Sequence, residues 1–354
     1  MESSEKTFNT IVERCRLSLG IKYQKESRYR AEPLFEAEVR LIRTLGFQDS
    51  LVHMVEYGDQ LRQQKAAFHL IGAAGSSVIF FLLGFSEVDP VRYETHFQRL
   101  WLTSTREPPT IVFVVMPADH GAWDEPQHPN ISIHPMTALE AIPELLRMRF
   151  PKTRVRMNEK AVFETIREGD TDGVFQLESA TVRSLLSQLC PSRIKDLGSV
   201  TALDQIGNSH PEVVSEYLKR HLAKEPKRIR RPIVETEMTP LLPLLSQETI
   251  MKFLHRHAGL PWEATYRFVL AAAKTRMTDQ HELWNPVLKG LEHQHGLNGE
   301  LLFKRLIAAS RWAVCRAHHV ANVITSYRAA YYRTFHRQAF EDALQRVSFG
   351  ERGK

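Results

Sequence analysis

Cysteine is scarce in this chain. Cys15, Cys190 and Cys315 are the three in 354 residues, and no CxxC pair occurs. That spacing excludes a zinc knuckle and a disulfide framework, and it sets a reduced compartment, the cytoplasm, as the expectation. Long apolar runs are missing too. The longest, Val78 to Leu83 and Ile111 to Met116, fall far short of the ~18 residues of a membrane span, so no membrane partner is expected. The N-terminal stretch MESSEKTFNTIVERCR has no apolar core of the kind a signal peptide needs. There is no internal repeat and no low-complexity tract. The histidine pairs His255/His257, His293/His295 and His318/His319 have no second pair placed by a motif, so they read as surface or packing residues and no metal site is expected. No nucleophile elbow accompanies any serine.

What is present is an ordinary folding composition: 43% hydrophobic, 9% aromatic and 25% charged residues. The length suggests two or three domains. Lys plus Arg number 47 against 41 Asp plus Glu, a net charge of +6. A mild basic excess permits nucleic acid as a partner.

Residues 27 to 66 carry apolar residues at helical spacing, broken at Gly46 into two helices. Gly72 to Gly84 is a small-residue turn opening a buried helix. It has two readings: tight packing, or a helix N-terminus holding an anion. Thr110 to Val115 is β-branched and aromatic, a buried strand. A polar loop from Ala118 to Asn130, a short strand at Ile131 to Ile133 and a helix at Ala138 to Met148 follow. Beyond Val155 the pattern is helical: Asn158 to Ile166, Ser179 to Leu189, Gln247 to about Arg276, and Gly299 to Gln345. The segment KEPKRIRRP (224–232) is a basic, Pro-bounded linker. From Lys252 onward there are 16 Lys or Arg against 8 Asp or Glu, interleaved with Trp312, Tyr327, Tyr331 and Tyr332. Such helices suit a phosphate-binding surface with stacking platforms, or a solvated face over an aromatic core.

The string GDTDGVFQLES (169–179) resembles the GDTxGVFQLES signature in the fingers of bacterial DNA polymerase III alpha subunits, the family C replicative polymerases. Neighbouring segments agree in order. GAAGSSVIFFLLGFSEVDPVRYETHFQR (72–99) is similar to the family's palm segment, Gln247-Glu248 with Met251 to its YQEQxM, and His318 through SYRAAYYRTFHRQAF to its KSHxxxYxxxSYQTAYLK region. The resemblance spans about residues 27 to 345. It implies a small α/β, nucleotidyltransferase-like palm domain followed by a larger, mainly α-helical fingers domain, α-rich overall. The expected division is an N-terminal extension (1–26), a palm-like domain without thumb (27–150), a helical fingers-like domain (151–345) and a C-terminal tail (346–354). The family's PHP, thumb, clamp-binding and OB parts are expected to be missing.

Polymerases clamp two divalent metals with clustered carboxylates. Where the resemblance places those acids, this chain has Thr110, Val112 and Val114 on the first strand and Ser132 on the second. The alternation survives, so the strand survives, but its polar face has become apolar. Of the family's phosphate-gripping positions, one arginine falls near Leu70 and a lysine at Asn130. Gly75, Ser76, Arg99, Lys274, Arg316 and His318 persist. Gln176, Glu178 and Ser179 match residues beside the family's incoming nucleotide and read here as architectural; Gln176 and Ser179 also rank among the nucleotide-binding remnants. The expectation is a DNA polymerase III alpha-like chain without catalysis or cofactor. It would act as a DNA-binding or replication and repair accessory module, with DNA and a replication or repair protein as partners. Lys227, Arg228, Arg230 and Arg231 are DNA-binding candidates. The alternatives are a Mg²⁺-dependent enzyme using the loop acids Asp119 and Asp124, and a protein-only scaffold for a polymerase complex.

Overall fold

The computed structural model describes residues 2–101, 107–116, 123, 126–222, 245–274 and 282–352. Three helices open it: α1 (Glu2–Lys22), α2 (Lys25–Leu45) and α3 (Gln48–Gln63). Gly46 ends α2 in the left-handed region at φ +73, its amide bonding back to the carbonyls of the last turn, as the sequence predicts. The segment expected to be an extension is instead a core helix. Phe8, Ile11, Val12, Cys15 and Leu19 of α1 are buried in the same cluster as Phe35, Val39, Ile42 and Leu51. Their helical spacing is visible in the sequence.

A three-stranded sheet follows, in the order β1 (Phe68–Leu70), β2 (Ile111–Val115), β3 (Ile131–Pro135). β1 runs antiparallel to β2, pairing Leu70 with Phe113, and β2 runs parallel to β3, pairing Phe113 with Ile133. Alternation sends Leu70, Ile111, Phe113 and Val115 into the first core. There Phe68 and Phe85 meet Phe113 edge-on, at 5.3 and 6.4 Å. β1 was not legible in the sequence, because three residues carry no period. Between β1 and β2 lie a 3₁₀ turn (Gly72–Ser76), α4 (Val78–Leu82), α5 (Pro90–Tyr93) and a second 3₁₀ turn (Phe97–Arg99).

The rest is helical: α6 (Ala138–Arg149), α7 (Lys160–Arg167), α8 (Ala180–Leu189), α9 (Ile194–Gly207), α10 (Pro211–Leu222), α11 (Gln247–His257), α12 (Trp262–Lys274), α13 (Trp284–His295), α14 (Gly299–Ser310), α15 (Arg316–Phe335) and α16 (Arg337–Arg352). The two long helical stretches expected after Gln247 are therefore interrupted. Gly259, at φ +68, and Pro261 separate α11 from α12, and residues 311–315 separate α14 from α15.

These helices bury two cores. One gathers α6 to α10 with α15 and α16 around Phe163, Leu177, Leu186, Leu203, Tyr327 and Phe340. The other gathers α11 to α14 around Met251, Phe268, Val287 and Leu306. α6 straddles the boundary expected near residue 150. Its Ala141 packs with Val114 of the sheet, while Ile142 and Leu146 enter the second core. The expected tail is likewise the end of α16, with Val347 packed on that core.

Candidate functional site

The sheet face opposite the phenylalanine core is where the resemblance places metal-binding acids. Register brings Val112 beside Ser132, and Val114 beside both His134 and His69. Val114 is buried with Met136 and Ala141, and Ile71 and Met116 pack onto them. His318 of α15 reaches this edge, where its Nδ1 accepts the Gly72 amide at 3.4 Å. Burial lowers the pKa of both His69 and His318, so both are neutral near pH 7. A hard divalent cation needs several oxygen ligands, and this face offers the Ser132 hydroxyl beside valines and the His69 and His134 rings. The residues present do not fit a metal pair. Among the described residues, no group of three or more His, Cys, Asp or Glu is arranged to hold a metal. Thr110 is exposed just before β2, and Asp119 and Asp124 lie outside the described residues.

The helix that the small-residue turn opens does receive a carboxyl group, and the chain supplies it. Glu38 of α2 is fully buried. Its Oε2 accepts the amides of Val78 and Ile79 at 2.8 and 3.3 Å, and its Oε1 accepts the Ser77 hydroxyl at 2.6 Å and the Trp101 indole at 2.7 Å. Burial pushes this carboxyl's pKa up, and the four donors oppose the shift. Gly75 serves close packing: a Cβ there would lie 3.3 Å from the Cβ of Ala317. Ser76 is fully buried, and its hydroxyl has no partner among the described residues.

Arg99 and Arg316 form a polar hub between the sheet-bearing part and α11. Arg99 is 6% exposed. Its Nη1 donates to Glu248 Oε1 and its Nη2 to Gln247 Oε1, both at 2.6 Å. Cys315 Sγ also accepts from it, and the guanidinium sits 5.0 Å over the Tyr266 ring. Burial works against the Arg99 charge, but Cys315 and Glu248 hold its pKa above the ordinary value, and burial raises the Cys315 thiol. The other oxygen of Glu248 accepts the Arg316 amide at 2.9 Å. The Arg316 guanidinium donates to Ser246 Oγ at 2.8 Å, Thr249 Oγ1 at 2.6 Å and the Glu94 carbonyl at 3.2 Å. Both arginines matched to phosphate-gripping positions thus direct their Nη donors to protein groups, while the buried Nε of Arg99 has no partner among the described residues. Glu248, with a family motif around it, is the partner the sequence reading did not assign.

The signature string is a braced loop. Gly169, Gly173 and Gln176 take positive φ, at +75, +71 and +58. Thr171 Oγ1 donates to the Leu177 carbonyl at 2.7 Å. Asp170 receives Arg333 of α15 and Arg337 of α16, and Asp172 receives Arg183. Burial would raise the Asp170 pKa, but the two arginines bring it below the usual carboxylate value. Ser179 caps α8, accepting the Val182 amide at 3.1 Å. Gln176 and Glu178 point outward and are exposed. Lys274 is exposed at the end of α12, about 12 Å along the axis from Tyr266, so it is not gathered with Arg99. Lys227, Arg228, Arg230 and Arg231 lie outside the described residues. Several histidines pack. Trp262 lies between His96 and His255, at 4.1 and 4.3 Å, and buried His319 meets Thr201 Oγ1 at 2.7 Å.

Comparison with known proteins gives a partial match. Residues 136–295 match the bacterial DNA polymerase III alpha subunit finger domain. The chain is 24% identical over 192 residues to the DNA polymerase III subunit alpha of Helicobacter pylori strain 26695, covering 53% of this chain and 16% of that protein. It is 27% identical over 206 residues to the Thermus aquaticus subunit, covering 55% and 16%. An error-prone DNA polymerase of Nocardia farcinica is 26% identical over 196 residues, covering 54% and 17%. The match thus spans about a sixth of these relatives' length.

Proposed function

We propose that this chain, similar over residues 136–295 to the bacterial DNA polymerase III alpha subunit finger domain, is a non-catalytic DNA-binding module of replication or repair. It works in the cytoplasm, and its sheet-bearing part is a palm-like, nucleotidyltransferase-like remnant. The observation that carries the reading is the pairing of Val112 with Ser132 in one register. Two neighbouring strands that would have to present carboxylates to Mg²⁺ present Val112, Val114, Ser132 and His134 instead. The closed hub around Arg99 and Arg316 supports it as well. Guanidinium groups engaged by Glu248, Gln247, Ser246 and Thr249 are not offered to a triphosphate.

DNA binding rests on the basic excess and on the kinship, and it requires no Mg²⁺. Primer extension tests the catalytic half. Purified chain with a primer–template, dNTPs and Mg²⁺ or Mn²⁺ should add no nucleotide over hours. Incorporation abolished by Asp119→Asn or Asp124→Asn would overturn the reading and establish substitute acids.

A further inference from the structure

Between α6 and α7 the chain passes over the last turns of α15, with turns at 151–152 and 157–158. Two ties fix it there. The Phe150 ring stacks on His336 at 4.4 Å. Further along, the Tyr327 hydroxyl donates to the Arg156 carbonyl at 3.0 Å and accepts the Glu159 amide at 2.9 Å. The segment therefore runs antiparallel to α15, over the ~13 Å that separate Tyr327 from His336. Val155 and Met157 turn inward against the second core. Lys152, Arg154 and Arg156, and Lys160 at the start of α7, are exposed. None of these four has an acidic partner among the described residues, whereas the neighbouring Arg147 and Arg149 are paired with Glu144 and Asp342.

The same stretch of α15 carries an aromatic platform. Tyr331 and Phe335 follow Tyr327 at four-residue intervals, which places them along one stripe of the helix. Their rings touch at 4.8 Å, and Phe335 is 47% exposed, one of the few large apolar side chains left in water. Unpaired cations beside a half-buried tyrosine and an exposed phenylalanine are a combination that holds single-stranded nucleic acid: charge follows the backbone and the rings take the bases.

We infer that Lys152, Arg154, Arg156 and Lys160 with Tyr331 and Phe335 form a track for single-stranded nucleic acid. The inference rests on the DNA-binding reading above and gives it a place and a form. Recognition is independent of sequence, since every base has a stacking face.

The test is fluorescence anisotropy on the full chain, with labelled oligothymidylate and a duplex of equal length, across a salt series. The wild type should prefer the single strand. K152E/R154E/R156E should weaken that binding on the order of 10- to 100-fold and flatten the slope of log K against log salt by about 2. Phe335→Ala should weaken it roughly 5- to 150-fold and leave the slope unchanged. Circular dichroism melting reports whether the variants fold. Ultraviolet crosslinking of iodouridine oligonucleotide to the wild type, mapped by mass spectrometry, gives a readout that needs no variant, and its adducts should fall within 150–160 or 331–335. Wild-type binding with both variants unaffected, adducts elsewhere, or preference for duplex would overturn the track and leave the DNA-binding reading standing. Absence of binding to either DNA would overturn both.

Discussion

The guanidinium of Arg99 and the carboxylate of Glu248 lie 2.6 Å apart, and both are out of water. The pair joins the turn before the sheet's central strand to α11, and through Glu248 to the first amide of α15. Burying an ion pair stabilises little in itself, but removing one partner strands the other charge. Glu248→Ala should therefore cost about 3 to 5 kcal/mol in urea unfolding. Arg99→Ala should cost a similar amount, and the double variant less than the sum. Additive losses would mean that the two side chains act separately.

Two glycines at similar φ make a second test. Gly46, at φ +73, has nothing within 4 Å of a built Cβ, whereas at Gly173, at φ +71, that Cβ would lie 2.6 Å from a Leu344 methyl. Gly46→Ala should cost about 1 to 2 kcal/mol from the left-handed backbone alone. Gly173→Ala should cost more, because α16 must also shift. Equal melting temperatures for the two variants would contradict the packing of the signature loop on α16.

Asp170 separates a buried from an exposed arginine. The Arg333 side chain is 7% exposed and that of Arg337 is 51% exposed. Arg333→Ala should lower stability by about 1 to 3 kcal/mol through its lost hydrogen bonds to residues 170 and 172, and Arg337→Ala by about 0 to 1 kcal/mol. A reversed order would remove Arg333 as the brace of residues 169–173.

Acid should unfold this protein early. Burial lowers His96 and His319 to about 4, and lowers His257 and His295 as well, the latter pair with rings 5.1 Å apart. A histidine whose folded pKa lies below its unfolded value binds more protons when unfolded, so stability rises with pH and is lost as pH falls from about 6.5 toward 4. The urea midpoint should drop across that window. His319→Gln, which keeps a partner for Thr201, should flatten the drop. A midpoint constant from pH 7 to pH 4.5 would contradict the buried neutral histidines.

Much of the fold was legible in the sequence. The Gly46 break, β2, α6 and α8 with its Ser179 cap all follow from local pattern. Other parts depend on distant residues. β1 is three residues long and is defined by its pairing with Phe113 to Val115. The partners Glu38 and Glu248 come from α2 and α11, 39 and 149 residues from the groups they bind, Ser77 and Arg99. A charged residue in an amphipathic helix gives no local sign that it will be buried. α1 is different, since Phe8, Ile11, Val12, Cys15 and Leu19 carry a helical period of their own. The absence of acidic residues at Val112, Val114 and Ser132 is legible in the sequence, because strand alternation names the positions; the register adds that Val112 and Ser132 are neighbours.

The central claim is DNA binding without a working nucleotide site. Its most direct test is anisotropy of a labelled primer–template titrated with the chain at low and moderate salt, with and without Mg²⁺ and the matching dNTP. The account predicts binding that weakens steeply with salt and is unchanged by Mg²⁺ and dNTP. Tightening when both are added would contradict it, and so would no binding at either salt.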